Sequence, residues 1–472
     1  MRTDGVMSKE SRLVKNTIIY AIGNISSKVL AYIMVMVYSH YIQPSDLGYY
    51  DVVISTISLL VPVIMLELHE GVYRLMIGNS KYSNEDVVGT SLKILLIASI
   101  VSESLLILFS LFFSVKLIGV ILFYSFSYIL YVYFITVIRG YSENKFYASL
   151  GVLNSFITLI VELIGVVILK QGIAAMFFAM GMANCICVLV VLIRKNNIFC
   201  CLSRKINKSL LSEILRYSIP LIPTTICWWV VDASDRYIIL FNLGSEFNGI
   251  YAMSTKFPTL ITAVTSIFYL AWQESAIKEY ESTNRDAFFT NVFRKYHCLL
   301  LSVCMCCIPS IKVIIKLFLA SEYSTSWMYT GPLFMATAYM AMSSFLGLGY
   351  QISKETQKST TTSIVAALIN ATFNLLFIKL IGLYAASIST FVAYFILFMI
   401  RIKDTRKYFV INYVVGEMII LPLLCLGLIA TTFFVDSILV LVIETLCCVV
   451  VSAILNRRLL MPIFIKTKGI IR

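Results

Sequence analysis

Charge is scarce in this chain. Asp, Glu, Lys and Arg together make 13% of its 472 residues, against 59% hydrophobic residues. A soluble globule of that length needs far more polar surface, so an aqueous fold is excluded. Histidine is rarer still, with His40, His69 and His297 making three in all. None belongs to a His-Glu-x-x-His or Ser/His/Asp grouping, which removes the commonest hydrolytic chemistries. Phosphate-cradling glycine loops are absent, so no ATPase engine is expected, and neither is any cofactor. The 12 cysteines are plentiful, yet Cys185/Cys187, Cys304/Cys306/Cys307 and Cys447/Cys448 lack zinc-ligand spacing and lie in apolar runs. They read as small lipid-compatible residues, and no metal site is expected.

Long polar segments are missing too. The widest gaps between apolar runs, Arg194 to Glu213 and Glu274 to Arg294, are too short to bury a core of their own. What fills the chain is a series of apolar runs near 20 residues long, with a mean hydropathy of +0.88. They fall at about 14–39, 49–68, 88–114, 117–138, 147–169, 172–193, 214–241, 249–273, 295–320, 327–350, 360–379, 381–400, 411–435 and 437–456. A spanning helix needs roughly 20 apolar residues, and only helices or closed barrels satisfy the backbone in hydrocarbon. The runs do not alternate, so the expected fold is an all-α polytopic membrane protein of about 14 transmembrane helices. The first run resembles a signal sequence superficially, but it is long, carries Lys28 and lacks a small-residue cleavage pattern.

The formal net charge of +13 invites a nucleic-acid reading, and its distribution argues against one. Basic residues crowd the amino terminus (Arg2, Lys9, Arg12, Lys15), the segment Arg194 to Arg216, the stretch Arg401 to Lys407 and the tail Arg457 to Arg472. Opposite loops carry little beyond Lys116, Lys170, Lys312, Lys316 and Lys379. The positive-inside rule then places both termini in the cytoplasm.

Faint internal repetition accompanies this pattern. Gly48-Tyr49-Tyr50 is echoed by Gly249-Ile250-Tyr251, Gly140-Tyr141 by Gly349-Tyr350, and Gly172-Ile173-Ala174-Ala175 by Gly382-Leu383-Tyr384-Ala385-Ala386. Three echoes in the same order at nearly the same offset suggest a duplication. The expected organisation is an N-terminal lobe of helices 1–6 (residues 1–200), a C-terminal lobe of helices 7–12 (201–405), and two additional helices with a basic cytoplasmic tail (406–472). The two pseudo-symmetric six-helix lobes would surround a central cavity.

Polar residues inside the runs mark candidate sites, because unpaired charge at the bilayer centre costs roughly 2.5–3.5 kcal/mol on insertion scales. Asn16, Tyr20, Asn24, Ser27 and Lys28 line one face of the first span. Trp228, Asp232, Asp235 and Arg236 line a face of the seventh, and Lys256, Thr259, Thr262, Ser266 and Gln273 a face of the eighth. Lys28, Arg236 and Lys256 suit an anionic cargo. The competing reading is structural: Asp232 neutralises Arg236 four residues on, and Lys256 locks onto Asp235. Asp232 and Asp235 are also candidates to carry a coupling H+ or Na+. Glu67, His69, Glu70 and Arg74 form either a cytoplasmic gate or a solvated helix end, and Glu274, at the cytoplasmic end of span eight, is a further ion-coupling or gating candidate. Trp228 is a candidate for stacking on a sugar face, with ordinary packing as its alternative. Glu103 and Glu162 read as helix-to-helix hydrogen-bonding groups, with relay carboxylates as the alternative.

Taken in order, Asn16-Thr17 through Ser27-Lys28, Pro44-Ser45-Asp46-Leu47-Gly48-Tyr49-Tyr50-Asp51, Val72-Tyr73-Arg74, Ser234-Asp235-Arg236-Tyr237, Gly249-Ile250-Tyr251 with Lys256-Phe257-Pro258, and Trp272-Gln273-Glu274-Ser275-Ala276 give the chain a resemblance. It resembles the Wzx-type repeat-unit flippases, the polysaccharide-transporter branch of the multidrug/oligosaccharidyl-lipid/polysaccharide exporter superfamily. The resemblance implies a multi-pass protein of the bacterial cytoplasmic (inner) membrane. Such a protein would move undecaprenyl-diphosphate-linked oligosaccharide to the outer leaflet for O-antigen, capsule or exopolysaccharide assembly, by alternating access. It further implies a diphosphate held by Lys28, Arg74, Arg236 and Lys256, and glycan hydroxyls held by Asn24, Ser27 and Gln273. Expected partners are membrane lipid, H+ or Na+, a polysaccharide polymerase and a chain-length regulator. The two spans beyond twelve depart from shorter members of that family. A drug exporter of the same superfamily should favour an acidic cavity. A polymerase or glycosyltransferase should carry a sizeable charged outer loop, which this sequence lacks.

Overall fold

The computed structural model describes residues 32–77, 82–195, 198, 201, 203–204, 206–353 and 355–457, and every element among them is helical. In chain order these are α1 (Pro44–Ile64), α2 (Leu68–Ile77), α3 (Asn84–Phe112), α4 (Ile118–Gly140), α5 (Asn144–Glu162), α6 (Ile173–Arg194), α7 (Lys208–Ser218), α8 (Ile222–Asn242), α9 (Ser245–Lys256), α10 (Thr259–Glu279), α11 (Arg285–Phe318), α12 (Trp327–Ile352), α13 (Thr356–Ile381), α14 (Leu383–Asp404), α15 (Val415–Phe434) and α16 (Ile438–Leu455). Among the described residues 11 helices are long and apolar enough to cross a bilayer. Many of their apolar side chains point outward: Leu111 is 76% exposed, Phe112 78% and Phe434 87%. On a soluble surface such a band would be an aggregation site; in a bilayer it is the lipid contact.

The spans read as third to sixth and ninth to fourteenth correspond to single helices, α3 to α6 and α11 to α16, with ends displaced by up to about ten residues. The second and eighth do not. The second divides at Met65–Glu67, where Leu66 and Glu67 adopt left-handed φ values of 49° and 52°. The amide of Glu67 reaches back to the Pro62 carbonyl at 2.9 Å. The eighth divides at Phe257-Pro258, where Pro258 has no N–H to continue the ladder. Span seven, α8, is a full-length helix with too many ionisable residues to count as apolar.

The chain divides into two compact units, one of residues 1–42 and 49–230, the other of 43–48 and 231–472. Within the first, α4 packs along α6, α5 along α6, and α2 against both α4 and the amphipathic α7. Its polar groups bridge helices. Ser125 on α4 donates to Glu103 Oε1 on α3 at 2.7 Å, and Asn154 on α5 donates to Asn184 Oδ1 on α6 at 2.9 Å. Glu103 thus has the helix-bridging role expected of it.

Within the second unit α12 is the axial helix, packed by α14, α11 and α10. Both α15 and α16 lie on α11, and Lys312 of α11 fastens their connection. Its Nζ donates to the carbonyls of Thr432 at 2.6 Å and Val435 at 2.8 Å and to Asp436 at 3.1 Å, and it lies 4.0 Å from the Trp327 ring centroid. A second buried cation, Arg401 on α14, donates to the Ser343 carbonyl at 2.8 Å and to Ser363 Oγ at 3.2 Å. Two glycines make equivalent corners: Gly172 before α6 and Gly382 before α14 share φ 59°, with ψ −141° and −140°. No L side chain is comfortable there.

Candidate functional site

Of the expected cargo residues, Asn24, Ser27 and Lys28 lie outside the described residues, as do the side chains of Trp228, Asp232 and Glu274. Arg236 and Lys256 are half-buried, and Lys256 sits in the last turn of α9, where a helix favours a cation. Gln273 donates to Gln351 Oε1 at 3.0 Å, and Gln351 donates in turn to the Tyr269 hydroxyl at 3.1 Å.

The group that acquires a built environment is Asp235. It is buried in the second unit at 5% exposure. Its carboxylate accepts three hydrogen bonds: from Tyr251 Oη at 3.0 Å, from Asn374 Nδ2 at 2.8 Å and from Thr390 Oγ1 at 2.9 Å. Four helices, α8, α9, α13 and α14, therefore converge on one carboxyl group. Asn370, one turn before Asn374, donates to Thr390 Oγ1 at 3.1 Å. The amide oxygens of Asn370 and Asn374 are buried with no partner among the described residues. A buried acceptor left unmade costs roughly 1–3 kcal/mol. Tyr251 is itself part of a buried apolar cluster with Ile238, Ile239, Ile378 and Ala386.

Asp235 was expected as an ion-coupling group or as a partner of Lys256, and its recorded bonds come from neutral donors. The sequence reading missed Tyr251, Asn370, Asn374 and Thr390 as site residues. The readable signal was Asn370 and Asn374 at a four-residue step in an apolar run. Two hydroxyls and an amide nitrogen surround one carboxyl group, with the free amide oxygens of Asn370 and Asn374 close by, a mix that suits a proton or a small hard cation.

In the first unit the residues expected at a cytoplasmic gate come together around the α1–α2 break. Glu67, 3% exposed, accepts from Thr225 Oγ1 at 2.5 Å. His69 Nε2 lies 3.5 Å from Glu67 Oε2 and 3.8 Å from Glu70 Oε1. Arg74 on α2 lies with its guanidinium 4.2 Å from the Tyr217 ring centroid. It lines a cavity of about 240 Å³ with Gly71, Glu213, Arg216 and Tyr217. The left-handed Leu66 and Glu67 carry backbone strain of the kind found beside switches and clamps.

Compared with solved structures, the chain is similar to the lipid II flippase MurJ in an inward closed conformation, with a TM-score of 0.72 at 12% identity over 94% of this chain and 100% of that one. The fold is that of the MOP superfamily. An inward-facing multidrug resistance MATE transporter of that superfamily superposes at a TM-score of 0.64, with 14% identity over 82% of this chain and 98% of its own. A MOP superfamily transporter from Pyrococcus furiosus, described by the reverse polarity of its binding pocket, superposes at 0.59, with 15% identity over 84% of this chain and 96% of its own. No protein-family model and no curated protein sequence matches the chain. The likeness to the MOP fold is one of architecture, carried by helices rather than by sequence.

Proposed function

We propose that this protein is a flippase of the bacterial cytoplasmic membrane, with both termini in the cytoplasm, that moves an undecaprenyl-diphosphate-linked oligosaccharide repeat unit to the outer leaflet. The observation that carries the reading is the extent of the architectural match. The lipid II flippase aligns with 94% of this chain, whereas the two MOP transporters above align with 82% and 84%. A chain built to the full length of a lipid flippase suits a lipid cargo better than a small drug. The excess of basic over acidic residues points the same way, since a diphosphate needs cations such as Arg74, Arg236 and Lys256. Asp235 with Tyr251, Asn374 and Thr390 is the group we assign to coupling by H+ or Na+.

The test is the pool of lipid-linked oligosaccharides in a strain depleted of the protein, each species sized and assigned to a leaflet with a periplasmic probe. Complete repeat units held on the cytoplasmic side support the flippase. Truncated units would indicate a glycosyltransferase, and complete units outside but unpolymerised a polymerase. An unchanged pool would favour a drug exporter.

A further inference from the structure

A cavity of about 430 Å³ opens where the start of α11, the start of α15 and the end of α16 meet, and it is separate from both sites above. All three helices are candidate spans, so their shared end lies at a membrane–water interface. Its wall carries Arg294, Lys295, Glu417, Asn456 and Arg457, with Cys298 beside them.

The charges do not cancel. Glu417 is held by Arg294, whose Nε lies 3.0 and 2.9 Å from its two carboxylate oxygens and whose Nη2 donates to it as well. That pair is neutral. Lys295 and Arg457 remain, both exposed, and neither has an ion-pair partner among the described residues. Asn456 adds a second, independent feature. It is 4% exposed, and its amide nitrogen is spent on Ser302 Oγ and the Ser452 carbonyl, both at 2.9 Å. The residue lines the cavity, and its Oδ1 is buried with no donor among the described residues. Next to it Ile454 and Leu455 are 59% and 44% exposed on the lipid-facing side of α16.

We propose that this cavity binds the head group of an anionic glycerophospholipid of phosphatidylglycerol type as a resident lipid. Lys295 and Arg457 take the phosphodiester, a head-group hydroxyl donates to Asn456 Oδ1, and the acyl chains run along Ile454 and Leu455. A phosphodiester matches a wall with two uncompensated cations. A hydroxyl supplies the donor that the buried amide oxygen lacks, which a phosphatidylcholine head group cannot do. The chain's own carboxyl-terminal segment, with Lys466, Lys468 and Arg472, has the wrong sign to fill the site. Bound there, the lipid ties α16 and α15 to α11 at their interfacial end, opposite the Lys312 fastening.

The test places the full-length protein in phosphatidylcholine nanodiscs and follows alkylation of Cys298 by peptide mass spectrometry while dioleoyl phosphatidylglycerol is added. Lipid at ten times its dissociation constant leaves about a tenth of sites open, so alkylation should slow about tenfold. Phosphatidylmethanol, an anionic phosphodiester without the hydroxyl, should protect less, and Asn456→Ala should erase that difference. Lys295→Gln with Arg457→Gln should abolish protection while the melting curve in phosphatidylcholine stays in place. Equal protection by phosphatidylcholine, protection by inorganic phosphate alone, or protection only by a polyprenyl diphosphate would each overturn the proposal. So would protection already complete in phosphatidylcholine and lost when residues 458–472 are deleted. The lipid comparison on the unaltered protein decides the question even if the double variant fails to fold.

Discussion

Gly48 and Gly249 meet in a reciprocal contact. A Cβ on Gly48 would stand 1.8 Å from the Ser245 carbonyl oxygen, four residues before Gly249, and a Cβ on Gly249 would stand 1.8 Å from the Pro44 carbonyl oxygen, four residues before Gly48. Residue i of one segment meets j of the other, and j meets i, which is the signature of a two-fold relation. The Asn248 side chain fixes the crossing by donating to the Gly48 carbonyl at 2.9 Å. These are the two glycines of the first sequence echo, so the echo has a physical cause: each exists because the other's backbone occupies the space of its Cβ. Either glycine replaced by Ala must push two backbones apart. Overpacking of this kind costs about 1–3 kcal/mol and sometimes more. We expect Gly48→Ala and Gly249→Ala to lower the melting temperature together and to show non-additivity when combined. Gly151→Ala, where a Cβ meets nothing within 4 Å, should be neutral or slightly stabilising. Thermal unfolding of these four variants beside the unaltered protein checks this.

The same comparison shows which parts of the fold were legible. Helices α3 to α6 and α11 to α16 could be read because hydrocarbon demands length and apolarity, and those are local properties. Gly172 and Gly382 were visible as an echo, though not as left-handed corners. The interruption at Leu66 and Glu67 could not be read, because neither residue prefers positive φ and the conformation is imposed by packing around buried Glu67. At the site, Asp235 stood out as an acid in an apolar run. Its partners Tyr251, Asn374 and Thr390 lie 16, 139 and 155 residues away, and no periodicity within one span reports which helix faces which.

Asp235 itself gives a prediction that separates coupling from folding. Asp235→Asn keeps the shape and retains a carbonyl oxygen for Tyr251 and Thr390, but it cannot carry a charge or a titrating proton. Asp235→Leu leaves Tyr251 and Asn374 without their acceptor, at a cost of roughly 1–3 kcal/mol each, while Thr390 still donates to the Ala386 carbonyl. We expect the Asn variant to fold near wild type and to lose stimulation of transport by a pH or sodium gradient in proteoliposomes. The Leu variant should melt well below both. Gradient-stimulated transport by Asp235→Asn would remove Asp235 from the coupling path.

Glu355, in the connection between α12 and α13, carries the clearest pH signature outside the spans. Hydrogen bonds from Lys358, first, and then Tyr408 and Lys407 hold its carboxyl down to about 2. Lys358 Nζ stands 2.7 Å and Lys407 Nζ 3.2 Å from Glu355 Oε2. A carboxyl depressed in the folded state stabilises above its unfolded value, about 4.3 for glutamate, and that contribution is lost as pH falls through the folded value. Glu355→Gln should therefore melt below wild type at pH 6 and converge with it near pH 2. High salt should shrink the difference, since the two lysines are solvent-exposed.

Lys312 and Asp436 look like one salt bridge at 3.1 Å, but the two ends are unequal: the lysine side chain is 1% exposed and the aspartate 85%. Solvent already satisfies Asp436, and its loss strands nothing, so Asp436→Asn should change stability little. Lys312 is different because its ammonium closes two carbonyl groups, Thr432 and Val435, at the end of α15 and faces Trp327. Lys312→Met fills the space but leaves those carbonyls without their donor, at a cost of about 1–3 kcal/mol. Hydrogen exchange should then rise at residues 430–440 while the rest of α11 keeps its protection. If Asp436→Asn proved the more damaging change, the ion pair would be the fastening and the carbonyl cage incidental. The exposures argue the reverse: the lysine is held by the helix end it caps, and the aspartate is a solvated neighbour.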